Sequence, residues 1–369
     1  MTRERERPGR AEHPTLIDVA EAKSALPRSI APMRPRRALR AFNSPEYLFE
    51  LKWDGIRALA SRDESGLRIT DRSGGDLLPL MPELRDLPVP EGCVLDGEIV
   101  VCDSRGRPAY DLLAGRWLRP QGTLPLGPKV AKRGRGPVFV AFDLLYESGR
   151  PLLGRVLTER RARLAALDLR SATIAVPEHL DDDGEPFLEV VAEYGLEGIV
   201  AKRREGRYVP GARTQEWLKC HVTPRADVIV GGLVVDERRG ARAVLCGFRD
   251  EDGAIAYAGE AFVPPYLGAW LDEATRDFAS ESSPFSTPVG MRAGIRFLRP
   301  RLVAIVEFAA IEADGELRDA RFRTLRLDGR LDDARREDPV EVPSYPPHTN
   351  PDRPRLVVLA SLPFGIDTP

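Results

Sequence analysis

Two patterns of hydrophobic and polar positions follow one another along the chain. Residues 31–222 mix short apolar or alternating runs, which are typical of strands, with runs of helical period. The predicted strands in this part are Tyr47–Leu51, Leu67–Thr70, Cys93–Val101, Val138–Leu145 and Gly198–Lys202, and the predicted helices are Thr158–Leu167 and Pro186–Tyr194. This mixture indicates an α+β domain with antiparallel sheets and helices.

From Asp227 onward the pattern changes to short strands separated by glycine-rich turns. Roughly five strands in about a hundred residues, with one helix, favour a small β-barrel of the oligonucleotide-binding (OB) kind over residues 223–338. The predicted strands are Val228–Val235, Ala243–Phe248, Ile255–Gly259 and Val303–Ile311, and the predicted helix is Pro265–Phe278.

Both ends of the chain have a different composition. Residues 1–30 predict a polar extension with one short amphipathic helix near Leu16–Ala25, and the proline-rich residues 339–369 predict an extended tail. The first forty residues hold a local excess of arginine, which predicts either a nucleic-acid contact or a solvated tail; for residues 1–15 we favour the tail. These arginines are Arg3, Arg5, Arg7, Arg10, Arg28, Arg34, Arg36, Arg37 and Arg40.

Composition narrows the class of protein. A chain of 369 residues predicts two domains or a single large one, and a hydrophobic fraction of 42% is enough for full cores. The net charge of −2 means that a nucleic-acid partner would be attracted by a local basic face. The four cysteines show no paired spacing and there are only four histidines, so we expect no zinc site, no disulfides and a reducing cytoplasm. No apolar run approaches the ~18 residues of a membrane span, and the Arg/Glu-rich start is not typical of a signal peptide.

Lys52 is the most informative single residue. It ends the strand run Tyr47–Leu51, where a lysine can be held partly desolvated with its amine available for nucleophilic attack. Asp54 and Gly55 predict a turn, after which Arg57 returns on the next strand and on the same side as Lys52. An amine, an aspartate and an arginine that converge in this way indicate attack on a phosphorus centre. The alternative is an ordinary hairpin with a solvated lysine.

Two further strand runs contain a candidate site residue. Glu98 lies in the apolar run Val94–Val100, where a carboxylate is costly unless it meets a cation. It is therefore a candidate ligand for magnesium or for a ribose hydroxyl, although a strand that turns to solvent would also explain it. Phe142 lies in the apolar run Val138–Tyr146 and could stack on a base. On that run alone a core aromatic is the better interpretation.

Three more residues, a glutamate and two lysines, complete the set of candidate site residues. Glu197 precedes an apolar run that ends at Lys202, and Lys219 closes the next apolar stretch. The intervening turn, Tyr208–Arg213, would bring the two lysines together. Lysines and arginines can neutralise a transferring phosphorus while two glutamates hold magnesium, so the whole set predicts nucleotidyl transfer.

Taken in order, these motifs resemble those of the ATP-dependent DNA ligase family, within the covalent nucleotidyltransferase superfamily. The resemblance covers about residues 31–335, and six ordered matches make it far more specific than K-x-D-G alone. It is most similar to bacterial stand-alone ligases related to end-joining ligases. The matching segments are Lys52-Trp53-Asp54-Gly55-Ile56-Arg57, Asp71-Arg72-Ser73-Gly74-Gly75, Asp96-Gly97-Glu98, Phe142-Asp143-Leu144-Leu145, Glu197-Gly198-Ile199-Val200-Ala201-Lys202 and Trp217-Leu218-Lys219.

The resemblance implies an adenylation domain at 31–222, an OB domain at 223–338, and a covalent lysyl-AMP. Lys52 would attack the α-phosphate of ATP and release pyrophosphate, with Asp54 of the same motif as a catalytic residue. Glu50 would read the adenine amino group and Phe142 would stack on the ring. The OB domain would close over nucleotide or DNA about a hinge near Thr223–Arg225.

The resemblance also assigns the other charged residues to the ribose, the phosphates and the metal, which would be Mg²⁺ with Mn²⁺ as the alternative. The catalytic residues would be Lys52, Asp54, Arg57 and Lys219. Arg57 and Arg72 would contact the ribose and later the 5′-phosphate of a nick. Glu98 and Glu197 would hold the ribose and the metal. Lys202 and Lys219 would lie near the α-phosphate, and Arg326 would help to orient pyrophosphate.

Two positions depart from the family pattern. The family commonly has lysine where this chain has His221, and a neutral imidazole supplies little charge near neutral pH. In the last motif, Arg326 and Asp328 are kept, but Gly329 stands at the lysine position. Arg330 would substitute from one residue further on, although it would point elsewhere in a regular strand. Both changes predict a weakened self-adenylation step rather than weakened nick sealing.

The main expectation is therefore an ATP-dependent DNA ligase that seals nicks in duplex DNA, in DNA repair. An RNA ligase, a capping-type nucleotidyltransferase and a non-catalytic DNA-binding homologue are the alternatives. We expect a monomer in the cytoplasm, associated with the nucleoid and not with a membrane. A Ku-like end-binding protein or a separate repair polymerase would be its protein partners.

Overall fold

The structure, a computed structural model, describes residues 26–110, 112–113, 136–236, 238–290, 293–326, 328–348 and 350–362. The helix predicted near Leu16–Ala25 and the arginines at positions 3 to 10 lie outside these ranges. Within them, no helix has the length and apolar character that crossing a membrane requires.

The described residues up to His221 form strands β1 to β11 and helices α1 and α2, with a 3₁₀ turn at Pro82–Leu84. The helices are α1 Leu157–Ala166 and α2 Gly184–Glu193. The strands are β1 Arg34–Arg37, β2 Asn43–Leu51, β3 Ile56–Asp63, β4 Gly66–Asp71, β5 Cys93–Val100, β6 Val138–Glu147, β7 Arg150–Pro151, β8 Ile174–Ala175, β9 Leu180–Asp183, β10 Gly198–Arg203 and β11 Arg213–His221.

These strands make two sheets. The first has the order β1-β11-β10-β2-β9, and the second has the order β4-β3-β5-β6-β7 with β8 also pairing with β6. The segment 52–55 therefore carries the chain from β2 in one sheet to β3 in the other. The hairpin alternative for this segment is wrong, because β2 pairs with β10 and β9 whereas β3 pairs with β4 and β5.

The two sheets pack face to face, and β6 shows how the sequence achieves this. Successive residues of a strand point to opposite faces. Val138, Val140 and Phe142 join the core between the two sheets, whereas Phe139 and Ala141 join a second core on the other face of their sheet. Helix α1 packs against β6, and α2 packs against β10 and β2. The layers are therefore helix, sheet, sheet and helix.

From Arg225 the described residues form strands β12 to β20 and helix α3, Pro265–Ala274, which continues as a 3₁₀ turn at Arg276–Phe278. A further 3₁₀ turn spans Leu331–Asp333. The strands are β12 Arg225–Asp236, β13 Gly240–Arg249, β14 Ile255–Phe262, β15 Ala279–Ser280, β16 Ile295–Leu298, β17 Val303–Glu307, β18 Ala310–Ile311, β19 Leu317–Arg318 and β20 Arg321–Arg326.

Five of these strands close into a barrel. β12 pairs with β13, β13 with β14, β14 with β20, β20 with β17, and β17 with β12 again. A closed five-stranded barrel with a helix is the architecture of an OB fold, so the predicted α+β fold with an OB barrel is confirmed. One strand prediction was wrong: Val303–Ile311 is two strands, because β17 ends at Glu307, where β12 begins opposite it, and β18 pairs with β19 instead.

Residues 334–362, here called the C-terminal strap, return from the barrel to the first part of the chain. Val340 N donates to Arg37 O at 2.8 Å, and Leu39 N donates to Val340 O at 2.8 Å, which extends the edge of the first sheet. Helix α4, Arg353–Ser361, then packs against α2.

The prediction that residues 339–369 are extended was therefore wrong for residues 353–361. Pro354 lies in the first turn of α4, where a proline costs no hydrogen bond. The buried Val358 and Leu362 then join the same hydrophobic cluster as Phe187 and Val191 of α2, and this burial favours the helix.

Several arginines of the predicted basic segment are used by the strap and the turn before it. Arg34 Nη1 lies 2.5 Å from Asp333 Oδ1, and Arg40 Nη2 lies 3.8 Å from Glu341 Oε1. Intramolecular carboxylates therefore neutralise part of this segment.

Candidate active site

Lys52 follows the last residue of β2 and points into a cleft between the sheets. Its backbone N donates to Gly198 O at 2.9 Å, and its Nζ lies 2.7 Å from Glu197 Oε1. The side chain is 22% exposed, so the amine is reachable from the cleft. Gly55 allows the sharp crossing between sheets, because a Cβ there would lie 2.2 Å from Ile99 O.

The sequence-predicted site residues converge on Lys52. The cleft has a volume of about 960 Å³, and an adjoining cleft reaches the barrel. The first cleft is lined by Glu50, Lys52, Arg57, Arg72, Glu98, Phe142, Lys202, Lys219 and Arg326. The second shares Lys52, Glu98, Lys219 and Arg326 and adds Asp54 and Glu197.

One end of the first cleft is deeply buried and combines an ion pair with an aromatic ring. Lys202 Nζ donates to Glu50 Oε2 at 2.8 Å and lies 4.2 Å from the centroid of the Phe142 ring. Burial lowers the pKa of Lys202, and the Glu50 carboxylate opposes that shift. The turn before β11 places Lys202 opposite Trp217 and Val200 opposite Lys219, so the prediction that the two lysines come together is confirmed.

Arg57 is held by partners to which the sequence analysis had given no role. Its Nε and Nη2 donate to Asp96 at 2.6 and 2.7 Å, and Tyr208 Oη donates to the same carboxylate at 2.6 Å. Burial alone would lower the pKa of Arg57, but Asp96 outweighs it and raises the pKa. The guanidinium also lies 4.7 Å from the ring centroid of Phe142. An arginine fixed in this way presents a preorganised positive charge to the cleft.

Glu197 is the meeting point of three cationic or polar groups. In addition to Lys52, Arg225 Nη1 lies 3.2 Å and His221 Nε2 lies 3.6 Å from Glu197 Oε1. Burial would raise the pKa of Glu197, but Lys52 and Arg225 outweigh it and lower the pKa. Arg225 also contacts Asp54 at 3.4 Å. Because Arg225 begins β12, it links the first part of the chain to the barrel; only its position at the predicted hinge could have signalled this.

The barrel and the turn that follows it contribute Arg326 and three aspartates. Arg326 Nη1 lies 3.2 Å from Asp227 Oδ1. From the first part of the chain, Arg72 Nε lies 3.0 Å from Asp328 Oδ2, and its Nη2 lies 3.1 Å from Asp333 Oδ2. These contacts hold the barrel against the cleft in a closed arrangement.

Lys219 meets a residue of the C-terminal strap. Its Nζ lies 3.3 Å from Glu337 Oε1, and Arg213 forms an ion pair with the same carboxylate oxygen. Burial lowers the pKa of Lys219 to about 7, with the neighbouring cations Arg213 and Lys52 acting in the same direction. The sequence offered no signal for Glu337, because it lies outside every motif.

Comparison with known proteins decides the family. The model of the ATP-dependent DNA ligase domain matches residues 29–221, and that of the ATP-dependent DNA ligase C-terminal region matches residues 237–329. The chain belongs to the ATP-dependent DNA ligase family. It is 33% identical over 322 residues to the multifunctional non-homologous end joining DNA repair protein LigD of Mycobacterium tuberculosis, covering 84% of this chain and 40% of LigD.

Other relatives agree with this family. A probable DNA ligase of Streptomyces coelicolor is 32% identical over 77% of this chain and 57% of its own length. The solved structure of mycobacterial DNA ligase D complexed with ATP and MES superposes with a TM-score of 0.60 at 32% identity, over 84% of this chain and 99% of that one. The chain thus spans about two fifths of the length of LigD.

The two departures from the ligase pattern have structural explanations. His221 is buried beside Glu197, and burial followed by the charges of Lys52 and Lys219 lowers its pKa well below the usual value. A Cβ on Gly329 would lie 2.8 Å from Val303 Cβ, so the backbone leaves no room for a lysine there. Arg330 is exposed at the start of the 3₁₀ turn and does not line either cleft.

Glu98 and Glu197 fit the binding of a divalent cation. Burial raises the pKa of Glu98 to about 8, which indicates a carboxyl group whose charged form lacks solvation. Glu197 Oε2 is buried and accepts no hydrogen bond from any described residue. Among the described residues no cluster of three or more acidic, histidine or cysteine side chains could hold a metal. The remaining ligands would therefore be phosphate or water oxygens, as magnesium prefers.

Proposed function

We propose that this chain is an ATP-dependent DNA ligase that joins 5′-phosphate and 3′-hydroxyl ends in duplex DNA through a lysyl-AMP at Lys52. The position of the Lys52 amine carries the proposal. The amine lies between a buried pocket that contains Glu50 and Phe142 and a set of cationic side chains that would bind the phosphates.

In the first step the Lys52 amine attacks the α-phosphorus of ATP. An N–P bond forms, the bond to the bridging oxygen breaks, and pyrophosphate leaves. The amine must lose a proton, and Glu197 Oε1, a carboxylate oxygen 2.7 Å away, would accept it. Asp54, which also pairs with Arg225, belongs to the same turn and would orient the amine.

Neutralising charge is the main contribution of the other residues, because phosphoryl transfer requires positioning and electrostatics more than further covalent chemistry. Lys219 would contact the α-phosphate, and Lys202 would support it from the purine end. Arg326 would orient the pyrophosphate, with Arg57 and Arg72 on the ribose and later on the 5′-phosphate of DNA. Glu98 and Glu197 would hold Mg²⁺ or Mn²⁺, which would supply charge for the transferring phosphoryl group.

Two further steps complete the reaction. The 5′-phosphate oxygen of the DNA attacks the phosphorus of lysyl-AMP, which forms a DNA-adenylate and returns the Lys52 amine. The 3′-hydroxyl then attacks the 5′-phosphorus, the new phosphodiester forms, and AMP leaves. For DNA to reach Lys52, the barrel would turn about the hinge at 223–225, breaking the contacts of Arg72 with Asp328 and Asp333. The boundaries 31–222 and 223–338 are part of this proposal.

The names of the relatives suggest the setting. LigD is described as an end-joining repair protein, and we extend that role to this chain. DNA would be held through its phosphates, so affinity should fall steeply with salt. A Ku-like end-binding protein or a separate polymerase would deliver the ends to a monomeric, nucleoid-associated ligase.

The test is joining of a 5′-phosphorylated nick in duplex DNA with ATP and magnesium, run beside an RNA nick and beside GTP. Joining of the DNA nick with ATP, and not with GTP, supports the proposal. Joining confined to RNA, or label transferred only from GTP, would favour an RNA ligase or a capping-type enzyme. Failure to form an AMP adduct and failure to seal a pre-adenylated nick would together favour a non-catalytic DNA-binding homologue.

A further inference from the structure

Arg161 is a buried arginine of α1 that none of the ligase motifs includes. Its side chain is only 8% exposed. Nη2 donates to Pro177 O at 2.6 Å, and Nη1 donates to Phe142 O at 3.4 Å. The guanidinium is therefore fixed by backbone acceptors directly behind the purine end of the cleft.

Arg161 and Lys202 hold the same two groups from two directions. Lys202 Nζ lies 2.8 Å from Glu50 Oε2 and 3.4 Å from Phe142 O. Arg161 Nε lies 3.4 Å from the other carboxylate oxygen, Glu50 Oε1. The buried Glu50 carboxylate is therefore held between two cations.

The Glu50 oxygen on the Arg161 side has a vacant hydrogen-bonding capacity. Glu50 Oε1 is buried and accepts no hydrogen bond within the described part of the chain. Leaving such an acceptor unpaired is costly, so a ligand that donates to it would gain affinity. An ionised carboxylate can only accept hydrogen bonds. It would therefore suit the 6-amino group of adenine and repel the 6-oxygen of hypoxanthine or guanine.

We propose that Arg161 is a specificity-determining positioning residue, which together with Lys202 holds the Glu50 carboxylate in place so that the pocket takes 6-aminopurine nucleotides and rejects 6-oxopurine nucleotides. This inference rests on the proposed adenylation at Lys52, and it adds a residue that acts through Glu50 without touching the base. Without Arg161, Glu50 Oε1 would lose the cation beside it, and the carboxylate would be free to turn away from the purine 6-position.

Equilibrium binding of AMP and IMP provides the test, because these nucleotides differ at the purine 6-position and undergo no transfer. The full chain is first freed of bound adenylate with pyrophosphate and magnesium, and each nucleotide is then titrated by calorimetry. We expect Arg161→Gln to reduce the preference for AMP over IMP by about five-fold, the order of the loss when a hydrogen bond to a charged group is weakened. Equal weakening of AMP and IMP would show a purely structural role and overturn the inference.

Three further variants sharpen the result. Arg163→Gln is the matched control: Arg163 lies on the same helix but pairs with the part-exposed Glu147 and Glu159, so its preference should equal that of wild type. Arg161→Lys keeps a cation and should keep most of the preference, which also tests the inference if Arg161→Gln does not fold. Loss of preference in Arg161→Lys as complete as in Glu50→Gln would contradict it. Adding Arg161→Gln to Glu50→Gln should cause no further loss.

The two proposals can fail separately in this experiment. Binding of AMP and IMP requires no reaction of Lys52. If ATP leaves no adduct on the protein, the proposed ligase activity fails while the preference for AMP still reports on Arg161. If an adduct forms but Arg161→Gln leaves the preference unchanged, only the inference about Arg161 is overturned.

Discussion

Lys219 Nζ lies 3.3 Å from Glu337 Oε1, although 118 positions separate the two residues in the chain. The carboxylate comes from the C-terminal strap and meets a lysine that would contact the α-phosphate of ATP. Arg213 pairs with the same oxygen. A carboxylate is thus placed on two cations that would otherwise attract phosphate.

Removing this carboxylate should improve nucleotide binding. We expect Glu337→Gln to lower the KM for ATP in self-adenylation by roughly five-fold, which is about 1 kcal/mol for a partly exposed ion pair. The measurement is the initial rate of adduct formation at varied ATP. Glu341→Gln is the matched control, since Glu341 lies on the same strap, is 73% exposed and pairs with Arg40 at 3.8 Å, away from Lys219. An unchanged or raised KM in Glu337→Gln would argue that Glu337 supports the cations instead.

The pH dependence of the first step should report on Lys219. Burial lowers its pKa to about 7, so the ammonium is present below that pH and is lost above it. Because kcat/KM reports groups of the free enzyme, kcat/KM for ATP should fall as pH rises from 7 to 9. Lys219→Arg stays charged throughout and should remove this decline. An identical decline in wild type and Lys219→Arg would assign the titration to another group.

A second ion pair is important for stability and lies away from the cleft. Arg160 Nε and Nη2 each donate to Asp143 at 2.8 Å, and both side chains are fully buried. Arg160→Met would leave the Asp143 carboxylate buried without a cation, and we expect a loss of about 3–5 kcal/mol in the free energy of unfolding. Urea denaturation measures it.

The control for this substitution is on the same helix. Arg163 is 42% exposed, so Arg163→Met should change the free energy of unfolding by no more than about 0.5 kcal/mol. If Arg160→Met is as stable as Arg163→Met, the pair contributes little and neighbouring donors, such as the Leu144 amide, must satisfy Asp143.

Restoring the family lysine at position 329 should not strengthen adenylation. A Cβ on Gly329 would lie 2.8 Å from Val303 Cβ and 2.9 Å from Arg326 O. We therefore expect Gly329→Lys to lower the Tm and to slow adduct formation, because Arg326 would be displaced from the cleft. Faster adduct formation in this variant, measured against wild type, would mean that the loop opens to admit the side chain.

The candidate site residues could be selected from the sequence because each motif is local. Lys52, Glu98 and Lys219 each stand in a strand run whose apolar pattern marks its burial, and order along the chain identified the family. The OB barrel was predicted from turn spacing for the same reason. Hydrophobic period and turn chemistry are properties of neighbouring residues.

What the sequence did not predict depends on contacts between distant residues. The crossing from β2 to β3 resembles a hairpin until strand pairing is known. Arg161 and Arg163 lie in the same helix, and only the fold shows that Arg161 faces Glu50. Helix α4 follows a proline-rich stretch, and its stability comes from packing against α2 rather than from its composition.

Intact mass of the protein after incubation with ATP and magnesium is the most direct test of the central claim. Wild-type protein should gain the mass of one AMP, in an acid-labile bond that maps to the peptide containing Lys52, and pyrophosphate should remove it. Lys52→Ala should gain nothing and should fail to join nicked DNA from free ATP. An AMP adduct on Lys52→Ala, or joining by that variant from free ATP, would contradict the account.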